Sequence, residues 1–172
     1  MANLKNFINN VPDYPRPGII FKDLTPILDD PQAYNFAINA LASIILEEFP
    51  ETTHIIAPEA RGFWFGCPAA AVCELGFVPV RKPGKLPRET INASFELEYG
   101  SETLCIHIDA LKPGDKIVII DDVLATGGTL GAMERLVEQS GAETLAALVI
   151  LELSFLKGRK NVKSPVRPVL ID

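Results

Sequence analysis

The segment KIVIIDDVLATGGTL, residues 116–130, decides how the chain is read. KIVIID is a short, unbroken apolar run, the pattern of a strand buried on both faces of a parallel sheet. After Asp121 and Asp122 comes a turn of small residues, and then Leu130, Met133, Leu136 and Val137 fall at helical spacing up to about Gly141. Strand, turn and helix make half of a βαβ unit. The two adjacent carboxylates are the difficulty: at about 4 Å and an effective dielectric near 20, two like charges repel by roughly 4 kcal/mol. A repulsion of that size needs a compensating ligand.

Working outward, TLAALVIL (144–151), HIIA (54–57) and FVPV (77–80) read as further strands. A helix is expected from about Gly62 to Leu75, stopped at Gly76. Another opens at Pro31 behind the capping residue Asp30, with Phe36, Ala40 and Ile44 in its apolar stripe and Pro50 just past its end. Leu4, Phe7, Ile8 and Val11 suggest a short N-terminal helix, and VPDYPRPGIIFKDLTPILDDP (11–31) reads as an ordered loop. Alternation on either side of Gly100-Ser101, with Phe95, Leu97 and Tyr99 on one arm and Leu104, Ile106 and Ile108 on the other, is a hairpin signature. The expected fold is α/β: a mainly parallel twisted sheet flanked by helices, with an antiparallel hairpin excursion and a flexible loop from about Pro83 to Ser94 over the site. Such sheets bind ligands at the carboxyl ends of their strands.

The chain has 172 residues, 48% hydrophobic and 22% charged, which suits one globular domain over 1–172. A net charge of −6 argues against nucleic-acid or membrane-surface partners, so any anion must be met locally. Cys67, Cys73 and Cys105 are odd in number and lack metal-ligand spacing; buried, reduced thiols in a cytoplasmic protein are the expectation. MANLKNFINN lacks an apolar signal core, and AALVILELSFL is broken by Glu152 and too short to span a bilayer. His54 and His107 match no motif and are read as structural.

In the central turn, the main-chain N–H groups of Ala125, Thr126, Gly127, Gly128 and Thr129 can converge on an anion, helped by the helix start that follows. The turn lacks the GK[ST] of a P-loop and the GxGxxG of a dinucleotide site. A ligand with a terminal phosphate for the turn and hydroxyls for Asp121 and Asp122 satisfies both halves, and a ribose 5-phosphate is such a group. Cations for a further phosphate group are concentrated in RKPGKLPR (81–88), at Arg81, Lys82, Lys85 and Arg88, and at Arg61 in PEARGF, just past a strand end. Glu96 and Glu98 share the polar face of the hairpin, where a carboxylate can exchange a proton with a substrate ring.

IVIIDDVLATGGT resembles the fingerprint of the type I phosphoribosyltransferases. YPRPGIIFKDLTPIL, EARGF, RKPGKLPRETI, LEYG and DDVLATGGT, in that order over residues 12 to 160, resemble the adenine-using branch of that family. The resemblance implies transfer of a phosphoribosyl group from phosphoribosyl pyrophosphate to adenine, with Mg²⁺ carried mainly by the sugar diphosphate and no dedicated metal cage. It implies Asp121 and Asp122 on the ribose hydroxyls, residues 125–129 on the 5′-phosphate, and Arg61, Arg81, Lys82 and Lys85 on the diphosphate. It places adenine between Ile20 and Val123, with the Ile19–Lys22 segment, Phe21 included, at the base edge and Glu98 near N7. It further implies a homodimer. The chain departs from the family pattern at Pro58, where a small residue is usual, and at Lys22, where arginine is commoner. A sister enzyme for another base, and a sensing module that binds the sugar diphosphate without turnover, are the alternative readings.

Overall fold

The structure is a computed structural model that describes residues 4–96 and 100–172. Leu4–Phe7 form a 3₁₀ turn that buries Leu4. Strands β1 (Asn9–Pro12) and β2 (Ile20–Asp23) then pair antiparallel, Asn9 opposite Asp23 and Pro12 opposite Ile20. The stretch expected to be a short helix and a loop is therefore a hairpin followed by one short helix, α1 (Thr25–Asp29). β1 is exposed throughout, so its residues show no in–out alternation by which to recognise a strand.

Helix α2 (Pro31–Glu48) starts as the sequence predicts: the Asp30 side chain accepts from the Gln32 and Ala33 N–H groups, and proline takes the first turn. Its buried face is Ala33, Ala37, Ile38, Leu41, Ala42 and Ile45, whereas Phe36 is exposed. The helix is apolar on most sides, and the face with small residues seats closest to the core. β3 (His54–Pro58) leads into α3 (Arg61–Val72), and β4 is Gly76–Val80. The left-handed residue after α3 is Glu74, not Gly76. Cys67 is exposed on α3, against expectation, while Cys73 and Cys105 are buried.

Strands β5 (Thr90–Glu96) and β6 (Ser101–His107) form the expected hairpin, burying Ala93, Phe95, Leu104 and Ile106, with Ile108 exposed beyond it. Leu97, Glu98 and Tyr99 lie outside the described residues. Because residues 90–94 are paired strand, the loop beside them is shorter than predicted and spans 82–89.

β7 (Lys116–Leu124), α4 (Gly128–Gln139) and β8 (Glu143–Glu152) follow the sequence reading closely. β9 (Val166–Ile171) was not anticipated. The central sheet runs β4-β3-β7-β8-β9, all parallel. Its two edge strands each contain a proline, Pro79 and Pro168, which the edge tolerates and which blunts further strand pairing.

One core layer packs Ile55, Val118, Ile120, Leu148 and Ile150 against α2 and α3; the other packs Ile56, Ile117, Ile119, Ala147 and Val149 against α4 and the β5–β6 hairpin. The alternation along β7 holds through Ile120 and then breaks: Val123 joins the first layer and Leu124 the second. The parity changes between Ile120 and Val123, the stretch that holds Asp121 and Asp122.

Candidate active site

A cleft of about 830 Å³ opens at the carboxyl ends of β3 and β7. Its floor includes Asp121, Asp122, Val123, Ala125, Thr126 and Thr129; β2 contributes Ile20, Phe21 and Lys22; and Pro58, Glu59 and Arg61 close another side. Both acids therefore line the same cleft as the turn that follows them. Only 7% of Asp121 and 4% of Asp122 is exposed.

The charge problem posed by the sequence has a partial answer inside the protein. The Arg61 Nε–H donates to Asp122 Oδ2 at 2.5 Å, and its guanidinium lies 4.9 Å over the Phe21 ring. Asp121 accepts from the Asp122 N–H through Oδ1 at 2.8 Å. Burial first, and then the Asp122 charge, raise the Asp121 carboxyl well above its ordinary range, although that N–H and Arg61 pull the other way. The close approach of α3 to the acids depends on Gly62: a Cβ there would lie 2.4 Å from Pro58 Cδ and 3.2 Å from Asp121 Oδ1.

The turn is built for an anion. Gly127 has φ +84° and sits at the N-cap of α4. The first intrahelical donor is the Gly131 N–H, on Gly127 O at 3.0 Å, so the N–H groups of Gly127, Gly128, Thr129 and Leu130 have no helical acceptor. Gly128 faces the hairpin, where a Cβ would meet Phe95 at 2.7 Å. Neither glycine side lines the cleft; Ala125, Thr126 and Thr129 do.

Behind the turn stands a support that sequence spacing did not reveal. In the 3₁₀ turn Gly158–Asn161, Gly158 packs so closely that a Cβ on it would lie 2.2 Å from Ala125 O. The Asn161 side-chain amide donates to Thr126 O at 2.8 Å.

The basic segment is less convergent than predicted. Lys82 lines the cleft, but Arg81 and Lys85 do not. Arg81 Nε donates to Glu59 Oε2 at 2.9 Å, and the Lys82 N–H donates to Glu59 Oε1 at 2.6 Å. What burial Glu59 has opposes its ionisation, yet these donors outweigh it and hold the carboxyl below its ordinary range. The Lys82 ammonium pairs with Glu102 at 3.0 Å, and Arg88 pairs with Asp109. Carboxylates of the same chain thus already pair with Arg61, Arg81, Lys82 and Arg88.

The 3₁₀ turn Ser154–Leu156 adds an apolar wall of Phe155 and Leu156, the former 64% exposed, which with Leu153 faces the cleft. Sequence reasoning passed over these residues, although their place just past the carboxyl end of β8 was the available signal. Lys22 is turned to Asp172, Nζ to Oδ2 at 2.5 Å. Glu98 lies outside the described residues. Among the described residues no group of three His, Cys, Asp or Glu side chains converges as a metal cage, and no helix is long and apolar enough to cross a membrane.

The phosphoribosyl transferase domain family matches residues 25–167. The chain is 53% identical over 160 residues to the adenine phosphoribosyltransferase of Carboxydothermus hydrogenoformans, covering 93% of each. Among solved structures it is similar to the adenine phosphoribosyltransferase of Thermoanaerobacter pseudethanolicus, with a TM-score of 0.94 at 46% identity over 98% of both chains. The Saccharomyces cerevisiae adenine phosphoribosyltransferase, solved with an imino-altritol bisphosphate and adenine, gives a TM-score of 0.94 at 41% identity over 97% of this chain and 96% of that one.

Proposed function

The chain belongs to the phosphoribosyl transferase domain family, and from that premise we propose that it converts adenine and phosphoribosyl pyrophosphate to AMP and pyrophosphate. One observation carries the reading: a single cleft joins a buried acid pair, the start of α4 and an apolar rim formed by Ile20, Val123, Phe155 and Leu156. These are complements of ribose hydroxyls, a 5′-phosphate and a flat base.

In this reading the 5′-phosphate takes the N–H groups at residues 125–129, and the ribose hydroxyls donate to Asp121 and Asp122. The base lies between Ile20 and Val123, with residues 19–22 at its edge. As the C1′–O bond breaks, its electron pair leaves with the diphosphate and C1′ gains positive charge, which the acid pair offsets. Arg61 and Lys82 act on the leaving anion from inside the cleft, while Arg81 and Lys85 act from its margin. N9 of adenine then bonds to C1′, and Glu98 takes the proton the ring must lose.

Two carboxylates, one of them already paired with Arg61, are too few to enclose a magnesium ion but suit one that arrives on the diphosphate with its waters. When bound, Mg²⁺ supplies charge neutralisation of the departing diphosphate. We also propose that residues 1–172 work as one domain, in the cytoplasm, with their thiols reduced. A homodimer is proposed on the family resemblance.

Incubation with adenine, phosphoribosyl pyrophosphate and Mg²⁺ is expected to yield AMP and pyrophosphate, followed by chromatography over a panel of bases. Preference for hypoxanthine or guanine would overturn the base assignment. Binding of the sugar diphosphate without turnover, seen by calorimetry, would overturn the enzymatic one.

A further inference from the structure

The β1–β2 hairpin, which brings Ile20, Phe21 and Lys22 to the cleft, is a separate two-stranded sheet that, among the described residues, has no ladder to the central one. Across the cleft, Phe155 and Leu156 stand on a single 3₁₀ turn. Each wall is slight, and both are largely exposed at the apolar groups a base would touch.

One residue outside the cleft lining joins them. Asp172 Oδ2 pairs with Lys22 Nζ at 2.5 Å, and the Lys22 side chain is only 15% exposed. The main-chain oxygen of Asp172 accepts from the Ser154 N–H at 3.2 Å and from Ser154 Oγ at 2.8 Å, and its N–H donates to Glu152 O at 2.9 Å. The same residue therefore grips the hairpin by its side chain and the opposite wall by its backbone, where β8 ends.

We propose that Asp172 is a positioning residue for the base: its ion pair with Lys22 sets the gap between the β2 wall and the Phe155–Leu156 wall. The proposal rests on the reading of the cleft as an adenine site. It also assigns a task to Lys22, one of the two positions at which the chain departs from the pattern of the family it resembles. The ammonium is spent on Asp172, not on the base. The bonds of Asp172 run to Lys22, Glu152 and Ser154 and to neither β7 nor α4, which build the phosphoribosyl half of the cleft, so the expected effect falls mainly on the base.

The test is steady-state kinetics of Asp172→Asn, which removes the charge and keeps the backbone contacts. KM for adenine is expected to rise about fivefold, the worth of one partly screened ion pair. kcat at saturating adenine and KM for phosphoribosyl pyrophosphate should stay at wild-type values. Asp172→Glu, or the exchange Lys22→Asp with Asp172→Lys, should restore KM, and added salt should raise KM in the wild type but not in Asp172→Asn. If Asp172→Asn folds poorly, Lys22→Met removes the same pair from the other side and should give the same rise. An unchanged KM for adenine, or a parallel change in both KM values and kcat, would overturn the proposal. A wild-type protein that forms no AMP would instead overturn the functional reading beneath it.

Discussion

Replacing both Asp121 and Asp122 by asparagine is expected to lower kcat/KM for phosphoribosyl pyrophosphate by roughly 10²- to 10⁴-fold, the loss of two charge-assisted hydrogen bonds. Binding of adenine alone, by calorimetry, should change far less, because the proposed base contacts lie on Ile20, Val123 and the Phe155 wall. Equal losses for both ligands would contradict the proposed roles.

The single variant Asp121→Asn separates function from stability. The Asp121 carboxyl is raised in the folded protein by burial and by Asp122. Between the unfolded value of about 3.9 and its higher folded value, the folded chain therefore binds the extra proton, and stability falls as pH rises through that window. Asparagine removes this penalty and keeps an acceptor for the Asp122 N–H. Asp121→Asn should thus be more stable than wild type at pH 7, by about 1 kcal/mol or a Tm gain of a few degrees, with the difference shrinking toward pH 4. Thermal melting across pH measures it. A variant that melts lower at pH 7 would show that the acid is stabilised in some other way.

The second large effect is expected at Gly127. A Cβ there would lie 2.2 Å from Gly158 O and 3.0 Å from its carbonyl carbon, and the residue holds φ +84°. Left-handed backbone alone costs an alanine about 1–2 kcal/mol. The contact is the heavier part, since both atoms are backbone and neither can swing aside. Gly127→Ala must displace the turn from Gly158, and a misplacement near 1 Å costs on the order of 10²-fold in rate. kcat/KM for the sugar diphosphate should fall by about that factor. Gly114→Ala is the control: it has φ +94° and nothing within 4 Å, so it carries the strain without the collision. If the two variants behave alike in kinetics and melting, the packing of the turn on Gly158 is not what positions it.

The contrast between these glycines also shows what a sequence can carry. The strand, acid pair, turn and helix of residues 116–139 were legible because each part signals locally: an apolar run, a left-handed glycine at a helix start, a 3.6-residue stripe. β1 was not legible, since an exposed four-residue strand ending in proline has neither alternation nor length. β9, an edge strand with Arg167 and Pro168 inside it, hid for a similar reason. In α2 the stripe was placed one position off because apolar residues surround the helix, and only packing selects the face with Ala33 and Ala37.

Within the site, Asp121, Asp122, Arg61, Lys82 and, from the turn, Ala125, Thr126 and Thr129 come together where their motifs put them, at the ends of strands. Arg81 and Lys85 fall outside the lining because charge in a sequence says nothing about partners: Glu59 claims Arg81 from 22 positions away. Gly158 and Asn161 were invisible for the same reason. Their contacts with the turn are made across about thirty residues, by shape, and shape has no local code.

The central claim is that the acid pair and the start of α4 form one pocket, receiving hydroxyls at one end and a phosphate at the other. The most direct measurement is a crystal structure of the protein with AMP. The phosphate should lie against the N–H groups of residues 125–129, with the ribose hydroxyls on Asp121 and Asp122 and the base beside Ile20 and Val123. A phosphate bound at the 81–88 segment, with the two carboxylates turned away from the sugar, would contradict it.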